Sequence, residues 1–440
     1  MRRLALFAAL GGLSACYTPQ SVSETHAVEV WRAAQSEDAT AEGPSVAGTS
    51  EVSFTAAAAV ERALAVHPEL RVAQARVLSA RTHADSVSPV PAVEVRLTEL
   101  HLDELVDGER KLDLGLRFRP ELPGLIATEK ARATEEITIE EARRERLEIA
   151  LRARVRALHG GVLMATRRLG ILRERSDLLE DARERSEVSA SHGAATAVER
   201  NLARLTAVDA KDELREANSD LVELRGQFKR LLAVEPDQQL SLGGPPGGVE
   251  SVLARPPAHE LALKEALTNR PETRERAARL AQAHADVWSE QLKRIPWLSF
   301  AQASREIRPK ADAMSWGFAL GVDVPVERWF GDSVAARRAD LEVRRQEERA
   351  VILSIAGQVS EALERLESAI TRYEEVKRSL IPAIDAAQAA SQATATQQGL
   401  DAKKSLRLAL SRLSSQRRVL EAEEGVMKAQ LHLDGVLARP

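Results

Sequence analysis

The sequence predicts a mainly α-helical chain with a small β part, one unit written twice, each copy a strand pair followed by a long antiparallel helical hairpin. Three observations carry this. First, "AVERALAVHPELRVAQARVLSA" from Ala59 and "ELALKEALTNRPETRERAARLAQA" from Glu260 place Ala63-Leu64 and Pro68-Glu69 at the same offsets as Ala266-Leu267 and Pro271-Glu272. Second, each segment is followed by alternating apolar and polar residues around a turn, the period of a strand with one apolar face. Third, each copy then passes into long stretches of heptad spacing. Composition agrees: of 440 residues, 29% are charged and only 3% aromatic, which suits long helices better than a thick globular core. The net charge of -4 argues against a nucleic-acid partner.

The chain opens on a leader. Arg2 and Arg3 precede the apolar run Leu4 to Gly12, and the small residues Ser14 and Ala15 precede Cys16. This is the order of a secretory signal, expected over 1–15. The run is far shorter than the ~20 residues a spanning helix needs. Cys16, the single cysteine, stands where cleavage belongs, and "LSAC" resembles the bacterial lipobox. That likeness implies cleavage before Cys16, covalent lipid on it and no other cofactor. Tyr17 in place of Asp then favours the outer membrane. Residues 16–50, rich in Ser, Thr, Ala, Glu and Gly, read as a lipidated N-terminal tether.

The first repeat is expected over 51–232: a helix, a β-hairpin at 91–119 and a helical hairpin at 121–232. Val93, Val95 and Leu97 alternate with Glu94, Arg96 and Thr98 until Glu99 interrupts; after the turn "DELVDGER", Leu112, Leu114, Leu116 and Phe118 alternate with polar residues. The outward seam runs Leu151, Val155, Leu158, Val162, Ala165, Leu169, Leu172, Ser176, Leu179. After the corner "SASHGAATA", the return seam runs from Ala203 through Ala207, Ala210, Leu214, Leu221 and Phe228 to Leu231. Residues 233–258 form a Gly/Pro linker.

The second repeat is expected over 259–440: a helix, a β-hairpin at 296–325 and a helical hairpin at 331–437. "PWLSFAQAS" is a weak strand and "REIRPKADA" its loop, whereas Trp316, Phe318, Leu320, Val322 and Val324 alternate cleanly. Val359, Ala362, Leu366, Ala369, Tyr373, Val376, Leu380 and Ala383 form the outward seam, with Pro382 expected to kink or divide it. "TATQQGLDA" is the corner, and Leu406 to Leu431 the return. Four strands cannot close a membrane barrel, which begins at about eight, but three copies would supply twelve.

No chemistry is legible. The nine histidines form no short-spaced cluster with cysteine or carboxylates, and no phosphate loop or nucleophile triad is present, so neither an enzyme nor a metal site is expected. Glu199 and Asp401 are the first acids after the two corners. Threefold repetition would ring them around an axis as a pore constriction. A solvated carboxylate, or one paired with Arg200 or Lys404, is the plainer reading.

The mature chain resembles the TolC-like outer membrane efflux protein family. The likeness rests on "ALAVHPEL" and "ALTNRPET", the strand-to-helix joints "LRFRPELPG" and "VDVPVERWFG", and the corners around Gly193 and Gly399. It implies a homotrimer whose 12-stranded outer membrane β-barrel continues into a 12-helix α-barrel. It further implies a passive exit duct in a tripartite efflux system, lipid-anchored and served by a periplasmic adaptor and an inner-membrane pump, with Gly193 and Gly399 at the periplasmic tip. Where many relatives carry an aromatic before each corner glycine, Ala190 and Thr396 stand here; Ser405 and Leu408 replace the aspartates of some relatives. The alternative is a periplasmic coiled-coil or adaptor lipoprotein without a pore. An adaptor predicts one hairpin flanked by compact β domains, whereas this sequence shows two hairpins and two strand pairs.

Overall fold

A computed structural model describes residues 52–87, 92–102, 109–235, 238–243, 256–308, 313–398 and 402–439. The chain divides into Met1–Val52 and Ser53–Pro440, and the architecture below is that of the second unit. The leader, the tether, Cys16, Gly399 and Asp401 lie outside the described residues.

The first repeat begins with β1 (Val52–Phe54), α1 (Ala56–Val66) and α2 (Pro68–Ser86). Thr55 caps α1 by accepting from the Ala58 N–H, and Pro68 starts α2, where a missing N–H costs nothing. The hairpin β2 (Ala92–Leu102) and β3 (Glu109–Arg119) leads into α3 (Pro123–Ser191) and α4 (Ala197–Leu231), followed by β4 (Leu240–Leu242). The second repeat has α5 (His259–Asn269), α6 (Pro271–Leu292), β5 (Trp297–Arg308), β6 (Ala313–Asp323) and the short α7 (Val326–Phe330). It closes with α8 (Ser333–Gln398) and α9 (Ala402–Val436). At 1.5 Å per residue, α3 and α8 each reach roughly 100 Å.

The long helices form one layer. In its upper half α2 packs on α3, α3 on α6 and α6 on α8; in its lower half α4 packs on α3, α3 on α9 and α9 on α8. The two long helices thus run through both halves, and α6 and α9 share the space between them. On one face, α1 packs on α3 and α5 on α8. Alanines make these crossings close. Ala59 and Ala63 sit fully buried with Leu151, Val155, Phe228 and Leu232, and Ala262 and Ala266 do the same with Ile355, Val359, Ala362 and Leu437. A larger side chain at these points would push the short helix off the long one.

Both return helices end identically. Ala233 and Ala438 adopt φ of 49° and 55°. The next N–H reaches back five residues, Val234 to Lys229 and Arg439 to Asp434, while Ala233 bonds Arg230 and Ala438 bonds Gly435. This is the Schellman arrangement, which normally takes glycine because a Cβ is strained there.

Three expectations change. α8 runs unbroken through Pro382. Pro382 is exposed and lies inside the helix, so the loss of one backbone bond there does not divide it. Thr394 to Gln398, expected in the corner, are helical, since no breaker precedes Gly399. Arg305 to Arg308, expected in a loop, extend β5. β2 also continues past Glu99, which pairs with Leu112.

Replacing Ala233 or Ala438 by glycine is expected to leave stability unchanged or raise it by up to about 1 kcal/mol. Valine at either position should cost about 1–2 kcal/mol, read as denaturation midpoints of the purified chain.

Candidate functional site

The two hairpins form one antiparallel sheet in the order β2-β3-β5-β6, joined through β3 and β5, while β1 and β4 pair separately. The register decides which residues share a face. Val93 pairs with Phe118 and Val95 with Leu116; Phe118 and Leu116 face Ala301 and Ala303, which pair with Leu320 and Phe318. This face is apolar, and nothing among the described residues covers it: Val95, Leu116, Trp316, Phe318 and Leu320 are 68%, 56%, 66%, 81% and 74% exposed. Arg305 shares the face and lies over the Trp316 ring at 5.6 Å.

The opposite face is polar and crowded. Arg96 and Arg119 each bond Glu94 at 3.0 Å, and Arg117 donates to Gln302 at 3.0 Å while lying 4.2 Å over Phe300. The register slips between Leu298 and Phe300, a bulge that puts Leu298 opposite Val322 and Phe300 opposite Gly321. A Cβ on Gly321 would come within 2.3 Å of the Phe300 ring, so any larger residue there would have to displace that ring. The bulge explains why β5 read weakly: its alternation changes phase at Ser299.

Where the sheet meets the helices, aromatic residues gather. The Trp297 indole donates to Pro120 O at 2.8 Å and the Trp329 indole to Arg294 O at 2.7 Å. Both rings remain partly exposed and Phe330 is 85% exposed. Indoles with satisfied N–H groups and free faces suit a boundary between hydrocarbon and water.

At the far end, Gly193 turns the chain with φ 71°, and Thr196 with Glu199 forms a capping box on α4. Glu199 therefore has a structural task the sequence reading missed. Its carboxylate also bonds Lys403 at 2.8 Å, linking α4 to α9; Arg200 and Lys404 are not its partners. The Lys403 ammonium, followed by the Thr196 amide and hydroxyl, holds the Glu199 pKa down to about 2. Further pairs tie α9 to the first hairpin: Arg417 to Glu213 at 2.5 Å, Arg412 to Glu174 and Arg167 to Glu423, both at 3.6 Å. Among the described residues no group of three or more His, Cys, Asp or Glu side chains could hold a metal ion.

No described helix is long and apolar enough to cross a membrane. No protein family matches the sequence, and no curated protein matches it. Solved structures do match. CusC, studied for the conformational changes accompanying folding and transmembrane channel formation, superposes with a TM-score of 0.70 at 16% identity, covering 89% of this chain and 95% of that one. The outer-membrane channel OprN gives 0.63 at 20% identity over 88% and 90%. The CmeC outer membrane channel of Campylobacter jejuni gives 0.67 at 12% identity over 90% of each. The chain has the fold of the TolC-like outer membrane channels.

Proposed function

We propose that three copies of this chain close into a cylinder that crosses the outer membrane as a β-barrel and continues into the periplasm as a helical barrel. The observation that carries this is the sheet's uncovered apolar face. Moving a large apolar side chain out of water is worth about 1.5–3 kcal/mol. Scaled by the exposure of the sheet's apolar residues, the sum is comparable with the roughly 5–15 kcal/mol that holds a typical domain folded. A face of this size is meant for hydrocarbon. Strands of 11 or 12 residues are long enough to cross it.

The sheet's edges supply the stoichiometry. β2 and β6 each have one unpaired side. Lipid does not tolerate open edges, so β6 of one copy must pair with β2 of the next, and three copies give twelve strands. The helical layer repeats the argument. Its edges are α2 and α4 on one side and α8 on the other. Exposed apolar residues lie on all three: Val72 and Leu78, Val198 and Leu202, Val343 and Leu353. Such a head-to-tail contact closes into a ring.

In this reading the chain is the passive exit duct of a tripartite efflux system, with no catalytic step. An inner-membrane pump supplies the energy, and a periplasmic adaptor engages the tip around Gly193 and Gly399. Residues 1–15 are removed as a signal peptide, Cys16 carries the lipid anchor, and 16–50 is the tether. Opening is a separation of α9 from the first hairpin, whose nearest fastening to the tip is Glu199–Lys403. Glu199 and Asp401 remain the proposed constriction, Glu199 being neutralised by Lys403 while the tip is closed.

Three outcomes test the reading. The purified chain should be a detergent-dependent trimer that conducts in planar bilayers; a soluble, non-conducting monomer after delipidation would overturn the duct. Cys16→Ser should abolish acyl labelling and leave the trimer intact, whereas continued labelling would refute the anchor. Lys403→Glu should raise the open fraction in single-channel records. The parent should respond likewise only in acid: the depressed Glu199 pKa keeps the pair charged above about 4.5, and the fastening is lost as pH falls towards about 2. Unchanged gating in Lys403→Glu would remove this pair from the opening step.

A further inference from the structure

A groove of about 680 Å³ lies where α6 and α9 meet end to end between α3 and α8. Its charged lining is Arg154, Arg270, Arg365 and Lys428, with Glu361 as the only carboxylate and His432 beside them. Two of the cations are answered. Arg365 pairs with Glu361 at 2.5 Å, and Lys428 with Glu424 at 2.6 Å. The other two are not. Arg270 spends its Nε on Val436 O at 2.8 Å and one terminal nitrogen on Gln358 at 2.7 Å, both uncharged acceptors. It feels the Glu272 charge without pairing with it. Among the described residues Arg154 makes no ion pair, and it is exposed.

Helical spacing shows which way the groove faces. On α8, Val359, Ala362 and Leu366 pack in the core beneath α5, while Gln358, Glu361 and Arg365, each one residue earlier, line the groove. On α9, Leu433 and Leu437 are in that core, Val436 borders both core and groove, and Lys428, Leu431 and Gly435 line the groove alone. On α3, Val155 faces α1 and Arg154 and Ala157 do not. The groove therefore opens more than a quarter-turn away from the side that α1 and α5 cover, with Arg270 at the α5–α6 joint on its rim. In the proposed cylinder that extra layer lies outside, since three copies of it would fill the bore. The groove is then on the bore wall.

We propose that this groove is a binding station for anions bearing two or more phosphate or carboxylate oxygens, and that the duct favours acidic cargo at this level. Guanidinium groups fork onto such oxygens; Arg154 offers its whole fork and Arg270 its second terminal nitrogen, and neither has a carboxylate partner among the described residues. Threefold repetition places three such sites around one bore, where like charge from each wall adds to the field and salt weakens it. The anion site itself is a property of one chain; its place on the bore wall rests on the duct reading.

The full-length chain in detergent is titrated with inorganic pyrophosphate by calorimetry, and the same protein is reconstituted in planar bilayers under a KCl gradient. Pyrophosphate should bind, and Arg154→Glu should weaken it about tenfold, the loss of one charge-assisted contact. The variant's circular dichroism should match the parent, because Arg154 is exposed. The reversal potential should show chloride preference that Arg154→Glu reduces. Failure of pyrophosphate to bind, or equal binding by Arg154→Glu, overturns the site whatever the conductance. A cation-preferring parent that still binds pyrophosphate overturns the bore placement. Binding without any conductance keeps the site and refutes the duct instead.

Discussion

The organisation of this chain depends on one unmet requirement: a four-stranded sheet with an apolar face outward and hydrogen-bonding groups free on both edges. Water does not stabilise the face, and lipid does not accept the edges. Neither fault can be mended within the chain, because the two hairpins already pair with each other through β3 and β5. In the proposed assembly, further copies supply the missing strands. The helical layer has the same incompleteness in a different chemistry, with apolar residues on α2, α4 and α8 left at its margins.

The layer itself is held by two contrasting devices. Alanine crossings bring α1 onto α3 and α5 onto α8, giving two small cores near the middle of the long helices. Elsewhere the seams bury little area, and charged side chains bridge the helices. Glu275 is buried on α6 and meets Arg279 at 2.6 Å, Arg146 at 3.3 Å and Arg143 at 3.5 Å. Glu213 joins Arg175 and Arg417. Exposed pairs such as Arg412–Glu174 are each worth at most about 1 kcal/mol and set register more than they hold the structure together, whereas the buried Glu275 carboxylate would be costly to leave without its arginines.

His159 shows how a residue with no pattern of its own can serve the fold. It is buried on α3 and reaches Phe54 O at 3.3 Å, with its ring edge against Phe228. It thereby fastens the β1 strand to the long helix, and burial pushes its pKa below the ordinary imidazole value. A lone histidine on a heptad helix gave no hint of this partner more than a hundred residues away.

The sequence by itself determined the repeat, the two strand pairs, the two helical hairpins and the corner at Gly193, because each is written in local periodicity or in a residue whose backbone freedom is needed on the spot. Clean alternation in β3 and β6 showed which side chains share the outward face. The tertiary structure alone decided the rest. It revealed the bulge at Ser299 that turns Phe300 inward over Gly321, the capping and Lys403 pairing of Glu199, and the convergence of Arg154 and Arg270 from separate repeats. It also carried α8 through Pro382, against the local rule that proline divides a helix. These features depend on register and on distance through space. A period in sequence records which way a side chain points, but not what it will meet.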